Sequence, residues 1–375
     1  MRVRLEFDRP TEEHVSVVLA QMSPAAEHSP RLPLISVIVC AFGRSAFLSS
    51  AIESVVCQDF DHDLIEVVLE TDLEHPELEL RLKDRLDAAG IRFTVHKPGK
   101  VPLGKSLHDA TLGAKGSLLA FLNDDDEWES NRLTTVADAF RSNPMVGFFH
   151  NCQHLIDANS QPYPAPIRFA LVRHPSLLFD FLSGPITAKD FLSETGLLFK
   201  LEPDFNSSSI AIRRRHVLAH VETIDKLRNL DDFFFLAAVL ADGAAIYLCR
   251  ERLTRYRVHS QNLSFASSRA RADREDAMAA LSQRHLEAIE IIARGLGEDS
   301  ESAIGSLLEA ERCYLGLVNA VESRTIGRRE LASRLRRASG LALGSPSFKF
   351  MVVYTAAAVR MVIGNWMPLL YRALT

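Results

Sequence analysis

Apolar residues return along this chain with two different periods, and the alternation between the two predicts the fold class. Ile35-Ser-Val-Ile-Val-Cys40 is a β-branched run that predicts a buried strand. Leu48, Ala51, Ile52, Val55 and Val56 then fall on one face of a helix spanning 47–56. The pattern repeats: a strand at 64–69, a helix at 76–89, a strand at 91–95, a helix at 107–114 and the apolar strand Leu118-Leu-Ala-Phe-Leu122. Strands separated by helices need crossover connections, so the fold predicted is α/β with a mainly parallel sheet flanked by helices.

Outside this core the pattern changes. Prolines at 24, 30 and 33 mark residues 1–33 as an extension and stiff linker. Residues 157–205 are irregular and rich in Pro and Phe, the composition of variable loops. From about 266 Ala, Glu, Arg and Leu dominate and no strand pattern is left, so 266–375 is expected to be a helical C-terminal region beyond a 34–265 core.

Of the 375 residues, 47% are hydrophobic and 24% charged, which is ample for a packed core and unlike a disordered chain. Lys plus Arg total 43 against 48 Asp plus Glu, a formal charge of -5, so no global basic field is present to hold nucleic acid. Cys40, Cys57, Cys152, Cys249 and Cys313 are widely spaced, with neither a disulfide framework nor a zinc pattern. With the mixed charges of Met1-Arg-Val-Arg-Leu-Glu, this favours a cytoplasmic location.

In a parallel sheet ligands bind beyond the carboxyl ends of the strands. The residues there are Ala41-Phe-Gly-Arg44, Glu70-Thr-Asp72, the basic stretch 96–105 and Asn123-Asp-Asp-Asp126. Three adjacent carboxylates repel one another by roughly 4 kcal/mol per pair at about 4 Å and an effective dielectric of 20, which points to a bound cation. Carboxylate oxygens suit Mg²⁺ or Mn²⁺, whose shell is commonly completed by phosphate oxygens. A solvated turn with Asn131 capping a helix from Arg132 would use the same residues.

Three segments together resemble the family 2 glycosyltransferases of the GT-A fold: Ile35-Ser-Val-Ile-Val-Cys-Ala-Phe-Gly-Arg44, Ile65-Glu-Val-Val-Leu-Glu-Thr-Asp72, and Ala114-Lys-Gly-Ser-Leu-Leu-Ala-Phe-Leu-Asn-Asp-Asp-Asp-Glu-Trp128. Asn229-Leu-Asp-Asp-Phe233 is similar to the family's Glu-Asp helix start, and Arg255-Tyr-Arg-Val-His259 to its Tyr-Arg-x-His segment. The resemblance, over about 34–265, implies a Rossmann-like GT-A domain that takes a nucleotide-diphosphate sugar, with a UDP-sugar favoured. It implies a nucleotide site at Cys40, Ala41, Phe42, Asp72 and Asp124, a divalent cation (Mn²⁺ or Mg²⁺) on Asp125 with His259, and Asp232 as the general base of an inverting transfer. His259 also reads as a hydrogen-bonded structural residue. From its reference pKa of about 3.9, Asp232 is expected to be ionised at neutral pH.

The chain departs from the family pattern at Asn123, Cys40-Ala-Phe42, Thr71 and Asp231, and it lacks the Gln-x-x-Arg-Trp signature of processive synthases. A single sugar transfer to a saccharide or lipid-linked acceptor in surface polysaccharide or glycolipid synthesis is therefore expected. Two other functions compete. Gly99-Lys-Val-Pro-Leu-Gly104-Lys105-Ser106 satisfies the P-loop pattern of a phosphotransferase or ATPase, and the departures suit a catalytically silent nucleotide-sugar-binding protein. In the glycosyltransferase reading Lys97, Lys100 and Lys105 would lie near the diphosphate. Six arginines between 324 and 337 oppose a single Glu330, a basic segment suited to an anionic membrane face or to solvent. The apolar stretches 350–359 and 361–371 are interrupted by Arg360 and predict an amphipathic or packed helix, not a span.

Overall fold

The computed structural model describes residues 34–164, 183–193, 198, 201–259, 271–297, 302–322, 326–344, 354, 355, 357 and 358. Its first half alternates as the apolar periods predict. Strand β1 (Ile35–Ala41) leads to helix α1 (Leu48–Val56), strand β2 (Ile65–Thr71), helix α2 (Pro76–Ala88), strand β3 (Arg92–His96), helix α3 (Leu103–Gly113) and strand β4 (Leu118–Asn123). Both faces of the parallel strands are covered, so β1 and β2 are buried almost throughout and need no apolar-polar alternation. Helix α2 begins with Pro76 in its first turn beside Glu77 and Glu79, groups that suit a helix N-terminus. Helix α3 starts four residues earlier than the periodicity predicts, because its first turn, Leu103-Gly-Lys-Ser, carries no apolar stripe.

The chain continues through β5 (Glu127–Trp128), α4 (Arg132–Ser142), β6 (Val146–Ile156), β7 (Gly184–Ile186), α5 (Ala188–Ser193), β8 (Ile210–Arg213), α6 (Arg214–Ala219), α7 (Val221–Ile224), α8 (Asp231–Ala241) and β9 (Ala245–Arg257). A short strand and helix thus stand in the segment expected to be loop. Helix α4 begins where predicted, but Asn131 makes no side-chain cap. Among the described residues the nine strands form one sheet, ordered β3-β2-β1-β4-β8-β6-β9-β5, with β7 also on β9. The β1, β2, β3 and β4 pairings are parallel, β8 runs antiparallel to β4 and β6, and β9 runs parallel to β6. The sheet is therefore mixed and mostly parallel.

Helices α1, α2 and α4 cover one face through Leu48, Ile52, Leu86, Leu133 and Val136. Helices α3, α6, α7 and α8 cover the other, where Phe233–Leu240 is buried without interruption and Phe235 stacks on Phe121 at 4.2 Å between ring centroids. The predicted C-terminal helices follow as α9 (Arg271–Leu296), α10 (Ala303–Glu322) and α11 (Arg328–Gly344), and Ile289, Ile292, Leu307 and Leu308 join the same core as α8. Each such side chain removed from water contributes about 1.5–3 kcal/mol. Strand order reverses at β1, whose neighbours are β2 and β4. A crevice opens beyond strand ends at such a switch point.

Candidate active site

The loop after β1, the segment after β4 and the end of β9 meet at this switch point. Asp124, Asp125 and Asp126 follow β4 and are 4%, 5% and 0% exposed, so the acidic run is not a solvated turn. Each carboxylate is partnered, and Asp124 and Asp125 share Arg44. Arg44 donates from Nε to both oxygens of Asp124 (3.1 and 3.0 Å) and from Nη2 to Asp124 Oδ1 (2.8 Å) and Asp125 Oδ2 (2.6 Å). His259 Nε2 lies 3.0 Å from that same Asp125 Oδ2. Asp126 accepts from the Arg257 amide at 2.9 Å and from Asn206 Nδ2 at 3.0 Å.

Burial pushes the Asp126 carboxyl up to about 7, with the charge of Asp125 adding to it, and raises Asp124, again with Asp125 adding and Arg44 opposing. Burial works against the Arg44 charge, yet Asp124 and Asp125 together hold its pKa above the ordinary arginine value.

Strand β5 pairs antiparallel with β9, Glu127 opposite Arg255, and this brings the end of β9 to the acidic segment. Arg257 is 1% exposed there. It pairs with Glu127, donates from Nε to the Asp125 carbonyl (2.7 Å) and from Nη1 to the Asp157 carbonyl (2.8 Å), and its guanidinium lies 4.5 Å from the centre of the Phe47 ring. Phe47 also meets the His259 ring at 4.9 Å. Asn206, in the left-handed region at φ 65, accepts from Asn123 Nδ2 (2.9 Å) and from the Ser208 amide (3.1 Å) while donating to Asp126. The amide at 123, where the family pattern has a carboxylate, is thus a partner for Asn206. Arg44, Glu127, Asn206 and Arg257 were not singled out from sequence, and only the Arg44 position, next to the strand end, carried a usable signal.

The predicted nucleotide residues stand at the ends of β1, β2 and β4 in different settings. Asp72 Oδ1 accepts from the Gly43 amide at 2.8 Å and so fixes the loop after β1, whose Gly43 sits at φ 71. Thr71 Oγ1 bonds back to the Ala41 carbonyl at 2.8 Å. Ala41 is fully buried. Phe42 is half-buried. Cys40 is registered between Glu70 and Asn123, and its thiol is pushed well up by burial and by the charges of Glu70, Asp231 and Asp124. Cys40 also packs against the core that holds α8, so the end of β1 lies between the acidic run after β4 and that helix.

Asp231 and Asp232 form the first turn of α8 behind Leu230, which is left-handed at φ 65. Both are half-buried. Burial raises Asp231 to about 6, and burial, the neighbouring Asp231 charge and Asp204 raise Asp232 well above the carboxylate range. The expectation that Asp232 ionises at its reference pKa is corrected accordingly: two adjacent carboxylates set into the protein cannot both ionise as they do in water.

The P-loop pattern has a different role. A Cβ on Gly104 would lie 2.0 Å from the Ile224 carbonyl oxygen and 2.4 Å from that of Leu227, and the Gly104 amide donates to Leu227 at 3.1 Å. The glycine lets α3 pack on the α7 segment, so that amide is not turned to a phosphate. Ser106 is fully buried. Lys105 pairs with Asp109 at 2.5 Å and Lys97 with Glu79 at 2.6 Å, so the P-loop reading is not favoured.

Among the described residues no three His, Cys, Asp or Glu side chains converge as a complete metal cage. Asp125 with His259 nonetheless presents one carboxylate oxygen and one imidazole nitrogen within 3.0 Å, both nearly buried. That mixed set fits Mn²⁺ or Mg²⁺ if phosphate oxygens and water complete the shell.

Comparison with known proteins gives the family and the fold. The model of the family described as Glycosyl transferase family 2 matches residues 36–221. An uncharacterized glycosyltransferase of Nostoc sp. (strain PCC 7120) is 26% identical over 250 residues, covering 64% of this chain and 70% of its own. The mannosyltransferase of Pyrobaculum calidifontis in complex with GDP-Man and Mn²⁺ superposes with a TM-score of 0.51 at 15% identity, over 94% of each chain. S. aureus TarS 1-349 in complex with UDP-GlcNAc gives 0.49 at 14% identity, over 88% of this chain and 92% of that one. With a GT-A sheet, and the acidic run at its switch point, this chain belongs to glycosyl transferase family 2.

Proposed function

We propose that the protein is an inverting, non-processive transferase that moves one sugar from a nucleotide-diphosphate donor, a UDP-sugar by preference, to a hydroxyl on a saccharide or lipid-linked acceptor. The carrying observation is that Asp124, Asp125 and Asp126 are buried after β4 at the switch point of the sheet, where Arg44 and His259 meet the same Asp125 oxygen. Asp124 would receive the ribose and Asp72 the base edge, beside the Cys40-Ala41-Phe42 strand end. A divalent cation on Asp125 and His259, when bound, supplies Lewis-acid stabilisation of the departing diphosphate. Asp232 takes the acceptor hydroxyl proton on its carboxylate as that oxygen attacks the anomeric carbon from the face opposite the leaving group. Attack from that face inverts the anomeric centre.

A thermal-shift panel of UDP-, GDP- and dTDP-sugars, each with and without Mn²⁺, tests this reading. Stabilisation by one nucleotide class, larger with Mn²⁺, is the expected outcome. No shift with any of them would refute the donor class.

The acceptor side is proposed to lie at the cytoplasmic face of a membrane in surface polysaccharide or glycolipid synthesis. Among the described residues no helix is long and apolar enough to cross a membrane. Arg329, Arg336 and Arg337 are exposed on α11 opposite buried Leu331, Leu335 and Ala338, which supports contact with anionic lipid headgroups. Arg324 and most of 350–371 lie outside the described residues. Sedimentation with anionic liposomes is expected to fall for Arg329→Glu/Arg336→Glu/Arg337→Glu; equal sedimentation would exclude this face.

A further inference from the structure

Arg44 holds the oxygen that a metal would need. Its Nη2 is 2.6 Å from Asp125 Oδ2, the atom that also faces His259 Nε2 at 3.0 Å, and its Nε and Nη2 occupy both oxygens of Asp124. Asp124 and Asp125 are nearly buried, so a cation there is strongly favoured, and two cations cannot share one carboxylate oxygen without repelling each other. The arginine reaches them from the solvent side: its side chain is 28% exposed while the two carboxylates are 5% and 6% exposed. Its backbone, by contrast, is held on both sides, by the Gly43 amide on Asp72 and by Phe47 under Arg257. With the backbone held and the side chain partly exposed, a swing of the side chain towards solvent would release the carboxylates.

A guanidinium displaced in this way seeks an oxyanion with a matching fork, and a diphosphate provides one. The same loop is fixed by Asp72, on the side proposed for the nucleotide base. We propose that Arg44 is an internal counter-cation that couples metal loading to nucleotide loading. It neutralises Asp124 and Asp125 in the free protein, yields Asp125 to the divalent cation and Asp124 to the ribose, and pairs with the diphosphate instead. Metal and nucleoside diphosphate then bind cooperatively, each weakly alone. This rests on the donor and metal reading above, and the coupling is the part that goes beyond it.

The test is Mn²⁺ binding to the full chain, read from the loss of the free-ion electron paramagnetic resonance signal. Titrations are run alone and with UDP or GDP, with chelation of Mn²⁺ by the nucleotide in buffer subtracted. For the wild type, nucleotide is expected to tighten Mn²⁺ binding about tenfold or more, the scale of charge-assisted hydrogen bonds exchanged. For Arg44→Met, Mn²⁺ alone is expected to bind about tenfold more tightly than to the wild type, and the enhancement by nucleotide is expected to shrink below about threefold. Arg44→Lys keeps the charge without the fork and is expected to fall between the two, which covers the case in which Arg44→Met does not fold. Mn²⁺ affinity and enhancement unchanged in both variants would overturn the coupling while leaving the metal site intact. Absence of Mn²⁺ binding in wild type and variants, with either nucleotide, would overturn the metal reading itself.

Discussion

Asp232→Asn is expected to lower turnover by about 10²–10⁴-fold while donor binding is retained, because a positioned general base contributes on that scale and the donor is held by other residues. The replacement keeps the size of the side chain and the start of α8, so the loss reports proton transfer. Full activity in this variant would remove Asp232 from the mechanism. The pH dependence supplies a second readout. Asp231 is raised to about 6 by burial, and Asp232 is raised well above its ordinary value by burial together with the Asp231 charge. A base acts only when deprotonated, so kcat/KM is expected to fall as pH drops through the apparent pKa of this pair. Asp231→Asn removes the adjacent negative charge, which lowers the pKa of Asp232 and shifts the acid limb to lower pH. A limb that stayed in place, or moved upward, would show that the titrating group lies elsewhere.

Arg257→Met is expected to destabilise the fold by about 3–5 kcal/mol, the scale of breaking a buried ion pair by removing one partner. Arg257 is 1% exposed, and its removal takes the buried one of two arginines from Glu127 and leaves the carbonyls of Asp125 and Asp157 without their donor, while taking away the cation above Phe47. Methionine fills much of the volume, so lost packing contributes less than the lost buried ion pair and hydrogen bonds. Arg255, on the same strand, pairs with Glu127 at 3.0 Å but is 31% exposed, and Arg255→Met is expected to cost only about 0–1 kcal/mol. Urea unfolding of the two variants measures the contrast. A difference below about 1 kcal/mol between them would mean that the buried arginine is not what closes β9 onto the acidic segment.

Much of the fold was legible because parallel strands covered on both faces must be apolar at nearly every position, and β1, β2 and β4 are. The antiparallel half was not. Strand β6 carries His150, Asn151 and Gln153 buried, and those polar groups break the apolar run although each finds a partner: His150 Nε2 bonds to the Phe205 carbonyl at 2.8 Å, Asn151 Nδ2 to Thr254 at 2.9 Å and Gln153 Nε2 to the Phe205 carbonyl at 3.3 Å. Strand β5, only two residues long, has no period to detect. The start of α3 was hidden for a related reason, since Gly104 and Lys105 imitate a phosphate loop while the glycine answers a close approach by the Ile224 and Leu227 carbonyls.

The candidate site divides along the same line. Local sequence determined the acidic run at the end of an apolar strand, the carboxylate pair opening α8 and the strand-helix alternation that sends both to the carboxyl edge of a sheet. Only the tertiary structure decided who pairs with whom. Arg44 reaches Asp124 across 80 positions and the Arg257 amide reaches Asp126 across 131. Periodicity is a property of neighbours along the chain, so it survives in one sequence. Charge pairing across a sheet depends on strand order and register, and burial then sets its strength, including the rise of Asp231 and Asp232 that no reference pKa contains.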